Sequence, residues 1–186
     1  MRMGTDKAFL DWQGQTLLGH ALRVVREACS QVYICGPRSL YGRFGEVIED
    51  AEPGRGPLAG IQSALHTTQT DLNLFLSVDL PLMTAEFLAW LLQQARLGKE
   101  RITAPEAQGT WQPLCAVYHR EVLGMVDAAL AKSDLKVTRL FAYTSTRIIG
   151  EHEITAAGFD SSIFTNVNTP DAYQSLLSNG ICASDE

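Results

Sequence analysis

The chain has 186 residues, 46% of them apolar and 19% charged, enough for one hydrophobic core and without the charge excess of a disordered protein. Against 21 Asp and Glu stand 15 Lys and Arg, a net charge of −6 without any run of about five like charges, which argues against a nucleic-acid partner. The longest apolar stretches, such as Leu72 to Leu76, fall far short of the roughly 18 residues that span a bilayer, and no signal-peptide pattern opens the chain. These properties predict a single domain over residues 1–186, cytoplasmic and without membrane contact.

From Gln15 to Cys29, Leu17, Leu18, Ala21, Leu22, Val24, Val25 and Ala28 recur at helical spacing. Val32 to Cys35 reads as a short buried strand ended by the turn Gly36-Pro37, and Val47-Ile48 as a second running into Glu49-Asp50. A Gly- and Pro-rich loop, Glu52 to Pro57, leads to a helix over Ile61 to Thr67. Leu72 to Val78, nearly all apolar, is the clearest strand, of the kind buried on both faces of a sheet. Thr84 then caps a helix with Phe87, Leu88, Leu91, Leu92 and Ala95 on its inner face. Ile102 to Ala104 and Leu114 to Tyr118 read as strands, Glu121 to Leu130 and Val137 to Tyr143 as helices. Arg147 to Ile149 and Phe164 to Val167 complete the strands, and Thr169-Pro170 opens a last helix through Leu177. Alternation of strands and helices predicts an α/β protein with three layers, a mostly parallel central sheet with helices on both faces, and a small antiparallel part from residues 100–120.

Cys29, Cys35, Cys115 and Cys182 are scattered and read as buried structural thiols; the four histidines are equally dispersed, and no zinc-ligand spacing occurs. In open α/β sheets ligands sit beyond the carboxyl ends of strands, which singles out Asp50, Asp79 and Asn166 to Asn168. Asp79, at the tip of a buried strand and followed by Leu80-Pro81, suits a magnesium ion held by one carboxylate and substrate phosphates, or else a plain turn. Arg2, Gly4 and Lys7 place two cations and a flexible residue together, chemistry that clamps phosphate oxygens, although a solvated basic turn would look the same. Gly54 to Gly60 is a Gly-rich entry to a helix where backbone can approach a ligand.

The order of these segments resembles one family, the molybdenum cofactor guanylyltransferases, nucleotidyltransferases of Rossmann-like fold. Arg2-Met3-Gly4-Thr5-Asp6-Lys7-Ala8 is similar to the second half of the signature L-A-G-G-x-S-x-R-M-G-x-D-K-A, and Gly56-Pro57-Leu58-Ala59-Gly60 to its G-P-L-A-G segment. Val78-Asp79-Leu80-Pro81 resembles the motif bearing the magnesium aspartate, while Gln112 to Tyr118 and Asn166-Val167-Asn168-Thr169-Pro170 resemble the two pterin-side motifs.

The resemblance implies transfer of GMP from GTP to molybdopterin with Mg2+ as cofactor, and transient contact with proteins that deliver or accept the molybdenum cofactor. It assigns Lys7, Asp79 and Arg2 to catalysis, Asp79 to the metal, and Gly4, Lys7, Asp50, Pro57, Leu58, Gly60 and Asp79 to the nucleotide. Gln112, Asn166 and Asn168 fall to the pterin substrate. The strand and L-A-G-G that open the family signature have no counterpart before Arg2; a start assigned too late, an omitted or disordered amino terminus and a true truncation are the competing readings, and only without that strand would a sheet edge stand open and apolar. A pterin cytidylyltransferase and a non-catalytic nucleotide-binding relative are the alternative readings.

Overall fold

The structure is a computed structural model that describes residues 6–180. Arg2, Gly4 and Cys182 lie outside the described residues. The first described element is a 3-10 turn, Lys7–Phe9, followed by a hairpin of β1 (Asp11–Trp12) and β2 (Gln15–Thr16). Gln13 at φ 52° and Gly14 at φ 78° make its two-residue loop, the geometry that lets a tight hairpin follow the twist of its strands. Thr16 then caps α1 (Leu17–Ala28), its hydroxyl accepting from the Gly19 amide at 3.0 Å. After it come β3 (Ile34–Cys35), α2 (Arg38–Tyr41) and β4 (Val47–Ile48), with β3 and β4 paired in parallel.

Pro57 sets the first turn of α3 (Pro57–Thr67), which therefore starts ahead of the periodic residues that announced it. It leads to β5 (Leu72–Leu76) and to α4 (Ala85–Leu97), capped by Thr84 as expected. The remainder comprises β6 (Ile102–Ala107), β7 (Thr110–Trp111), β8 (Cys115–His119), α5 (Leu123–Ala131), α6 (Leu140–Tyr143), β9 (Thr146–Ile149), α7 (Glu151–Ala156) and α8 (Pro170–Gly180). Helices flank both faces of the sheet. On one, α3 and α5 bury Leu58, Ile61, Leu65, Val126 and Leu130 against Ile102, Ala116 and Tyr118. On the other, α1 and α4 bury Val24, Phe87, Leu91 and Ala95 against Cys115, Val117 and Ile149. Among the described residues no helix is long and apolar enough to cross a membrane.

Two expectations need correction. The larger sheet is mixed instead of mostly parallel: β8 lies between β5 and β6 and runs antiparallel to both, and only β9 joins β6 in parallel. The cause is local, because β6 turns back at Gln108 (φ 54°) and Gly109 (φ 66°) and the returning chain, interrupted over residues 112–114, becomes β8. Second, Phe164 to Val167 is not a strand. Ser161–Phe164 forms a 3-10 turn seeded by the Asp160 carboxylate on the Ser162 amide at 2.7 Å, and Phe164 and Val167 are single buried anchors.

Between β3 and β5 lies a cavity of about 740 Å³, lined by Tyr33 to Cys35 and Asn73 to Val78 and roofed by Leu18, Leu22, Ile61 and Ala64. Among the described residues β3 pairs only with β4 and β5 only with β8, so each turns an edge without a partner among them to this space. The direction of each amide follows from its neighbours. Ser77 donates to Leu114 and Arg120 to Asp71, which fixes odd-numbered β5 residues toward β8 and even ones toward the cavity. Ile34 and Gly36 donate to Glu46 and Ile48, leaving the Cys35 amide on the open edge. Hydrogen exchange should therefore alternate along β5, with Leu74 and Leu76 exchanging on the order of a hundredfold faster than Asn73 and Phe75. Equal protection along the strand would show that the edge is covered.

Candidate active site

The carboxyl ends of β3, β4 and β5 gather around the Lys7–Phe9 turn. That turn is built locally: the Asp6 carboxylate accepts from the Ala8 amide at 3.0 Å, and the Asp6 and Lys7 carbonyls accept from Phe9 and Leu10. It projects the Lys7 ammonium to within 3.7 Å of Asp79 Oδ2 and onto Asn168 Oδ1, to which it donates. The loop carrying Asn168 is held by Phe164, stacked edge-on against Phe87 at 5.2 Å, and by the Val167 amide on the Asp79 carbonyl at 2.9 Å. Lys7, Asp79 and Asn168 therefore meet, although the first and last lie 161 residues apart in the chain.

Asp79 has its second oxygen, Oδ1, buried and without a hydrogen-bond partner. So does Asp50, at the end of β4. A buried carboxylate oxygen left unpaired costs free energy, so each is poised for a ligand that supplies a donor or a cation. Burial holds the Asp50 carboxyl above its ordinary pKa. Among the described residues no three His, Cys, Asp or Glu side chains are grouped to hold a metal by themselves, so any cation at Asp79 would draw its remaining ligands from substrate and water.

Asp50 shares the cavity mouth with Cys35, Gly56, Pro57 and Gly60. Gly60 lies against this group: a Cβ there would make ordinary contacts with Asp50 Oδ1 at 3.5 Å and the Cys35 Cβ at 3.6 Å. Helix α3 begins here without a side-chain cap: Gly56 adopts φ 72°, and Pro57 has no amide to satisfy, so the positive end of the helix faces the cavity. Arg55 turns away instead, donating to the Leu130 carbonyl at 2.6 Å and to Ser133 Oγ at 3.1 Å, which ties the loop to the end of α5.

Other sequence-selected residues lie elsewhere. Leu58 is fully buried in the α3 core, so only its backbone can face a ligand. Gln112 sits in the interruption between β7 and β8, its amide on the Pro105 carbonyl at 2.9 Å and its side chain on the Thr110 carbonyl at 3.3 Å, without a bond to the Lys7 group. The Asn166 side chain caps the Phe164 carbonyl at 3.4 Å. Cys29 is half-buried and Cys35 exposed, so only Cys115 of the three described cysteines fits the buried reading. The Cys35 thiol nevertheless lies on the Gly60 carbonyl at 3.8 Å, and desolvation, then the Asp50 charge, pushes it up to about 11, which makes it a poor nucleophile. Sequence reasoning missed Tyr41, whose hydroxyl donates to Asp6 Oδ2 at 2.6 Å; nothing in the local pattern marks it.

Because its folded-state carboxyl is raised by burial, Asp50 binds its proton more tightly in the folded chain. It favours folding at acid pH and loses that contribution as pH rises through the carboxyl range. Asp50→Asn is expected to melt at a higher temperature than the parent at neutral pH, with the gap closing below about pH 4. A calorimetric scan at the two pH values checks this, and a lower melting temperature at neutral pH would contradict it.

Comparison with known proteins gives this geometry a family. Residues 1–148 match the family described as the MobA-like NTP transferase domain. A probable molybdenum cofactor guanylyltransferase of Bacillus subtilis is 32% identical over 182 residues, covering 94% of this chain and 88% of that protein. The crystal structure of molybdopterin-guanine dinucleotide biosynthesis protein A from Archaeoglobus fulgidus superposes with a TM-score of 0.82 at 21% identity, over 99% of this chain and 94% of that one. A Mycobacterium tuberculosis protein solved in complex with manganese superposes with a TM-score of 0.62 at 18% identity, over 92% of this chain and 91% of that one.

Proposed function

The chain belongs to the MobA-like NTP transferase domain family, and we propose that it transfers GMP from GTP to the phosphate of molybdopterin, releasing pyrophosphate. Relatives about as similar as the Bacillus protein carry the guanylyltransferase name, which supports the choice of base and acceptor. The observation that carries the reading is the pairing of Lys7 with Asp79, whose Oδ1 is buried and unpartnered, next to Ala8 and Val78, which line the same cavity as the uncapped amino terminus of α3.

In this reading a phosphate oxygen of the acceptor attacks the α-phosphorus of GTP in line. The new P–O bond forms as the bond to the bridging oxygen breaks, and pyrophosphate leaves with that electron pair. The reaction asks little of acids or bases; it asks for positioning and for positive charge where negative charge collects. Lys7 supplies such charge, with Arg2 and the Gly4 backbone contributing from the segment just before it. Asp79 would hold the divalent cation, Mg2+ in this proposal, which when bound neutralises phosphate oxygens. A single free carboxylate oxygen flanked by space for phosphates fits that ion.

Asp50, at the cavity mouth, would accept from the nucleoside, where Gly60 leaves room for close approach. Pro57 and the Leu58 amide would border the nucleotide through backbone alone. Asn168, sharing Lys7 with Asp79, would sit between the two substrates. Asn166 and Gln112 are offered to the pterin, and both would have to exchange a backbone carbonyl for it.

Asp79→Ala is expected to lower turnover on the order of 10³-fold while leaving the fold intact, because the cation loses its only protein ligand in this scheme. Steady-state formation of the guanine dinucleotide measures it, with circular dichroism as the control. Normal GTP-dependent turnover by that variant would overturn the assignment of Asp79, and preferential use of CTP in parallel assays would overturn the choice of GTP. Mg-GTP binding without any dinucleotide product would favour a non-catalytic relative.

A further inference from the structure

The Lys7–Phe9 turn spans the mouth of the cavity and is anchored on both sides of it. On the β5 side Lys7 reaches Asp79 and Asn168. On the β3 side the Asp6 carboxylate divides its two oxygens, Oδ1 taking the Ala8 amide at 3.0 Å and Oδ2 the Tyr41 hydroxyl at 2.6 Å. The oxygen that closes the turn is thus part of a carboxylate whose orientation Tyr41 sets. We infer that Tyr41 is a positioning residue for Lys7, acting through Asp6 to aim the ammonium into the phosphate site. This rests on the reading of Lys7 as a phosphate-contacting cation.

Several independent features hold Tyr41 in that role. Gly36, at the end of β3 with φ 145°, lies so close that a Cβ there would come within 2.7 Å of the tyrosine ring, so the ring edge sits against backbone that glycine leaves open. Phe9, the last residue of the turn, packs on Tyr41 at 5.9 Å and on Phe44 at 6.0 Å between centroids. The Arg43 guanidinium covers the Phe9 and Phe44 rings at 5.6 and 4.9 Å. Segment 36–44 therefore clamps the turn through an aromatic contact and one charge-assisted hydrogen bond. Burial first, then the hydrogen bond and charge of Asp6, push the Tyr41 phenol up to about 12. It therefore remains a hydrogen-bond donor through neutral and mildly alkaline pH.

Tyr41→Phe removes the hydroxyl and keeps the ring. In the otherwise intact enzyme it is expected to lower kcat/KM for Mg-GTP about tenfold, as expected for loss of one hydrogen bond to a charged group. The effect should disappear in a Lys7→Ala background, since a residue acting through Lys7 has nothing left to aim. A second measurement needs no nucleotide. In the ligand-free protein the Ala8 amide should exchange faster and Lys7 should acylate several-fold faster in Tyr41→Phe than in the parent. An equal loss of kcat/KM in both backgrounds, or unchanged Ala8 exchange and Lys7 acylation, overturns the role of Tyr41. If the parent protein neither binds nor turns over Mg-GTP while the exchange and acylation changes occur, the functional reading fails and the Tyr41–Asp6–Lys7 linkage stands.

Discussion

Among the described residues, the two strand edges of β3 and β5 that face each other across a cavity are the constraint on which the rest of the architecture turns. Backbone pairing does not join β3 to β5 among the described residues, so their relative position depends on side-chain packing above, below and at one end. Helix α1 does this from one face: Leu18 and Leu22 pack toward Ile34 and Val47, while Val24 and Val25 pack with α4. Helix α3 does it from the other, in contact with β3 and β4 and buried with β8 through Ile61 and Leu65. Each large aliphatic side chain so buried contributes roughly 1.5–3 kcal/mol, so the two helices can hold β3 and β5 in place without a ladder between them among the described residues. The third tie is the Lys7–Phe9 turn, which crosses the cavity mouth with one polar anchor on each side.

That arrangement puts the polar cost of the molecule where a ligand can relieve it. The unpartnered oxygens of Asp50 and Asp79 and the uncapped start of α3 all face the same end of the sheet. In a chain selected for stability alone, an Asn at position 50 would remove the cost of burying a charge there. The persistence of these groups in unsatisfied form fits a site that holds a triphosphate nucleotide, because phosphate oxygens, ribose hydroxyls and a divalent cation provide the complements. The raised Asp50 carboxyl expresses the same cost as a protonation equilibrium.

What could be read from the sequence followed from local rules. The periodicity of α1, the Thr84 cap and the position of Asp79 just past an apolar strand each depend on residues within a turn or two, and each stands in the structure. The errors have equally local causes. Phe164 and Val167 look like strand residues because burial demands apolar side chains whatever the backbone does, and the Asp160 turn decided the backbone. The mixed sheet arises at Gln108-Gly109, two residues whose positive φ values no hydrophobic pattern reveals. Contacts that assemble the site were the least legible: Lys7 with Asn168 and Asp6 with Tyr41 join residues 161 and 35 positions apart, through groups that are common on any surface.

The same separation explains why precision here is concentrated in few bonds. An ammonium at the end of a four-carbon chain, such as that of Lys7, has ample rotational freedom, and its position is set by the backbone that carries it and by the acceptors it finds. Asp79 and Asn168 supply the acceptors, and both are fixed to one another by the Val167 amide on the Asp79 carbonyl. The backbone is a three-residue turn, too short to hold itself in water, and so it takes its orientation from Asp6. Since α1 anchors the turn from below through Leu18 against Ala8, rotation about that contact is the freedom that remains. A bond from the opposite wall of the cavity is the efficient way to remove it, and Tyr41 lies on that wall.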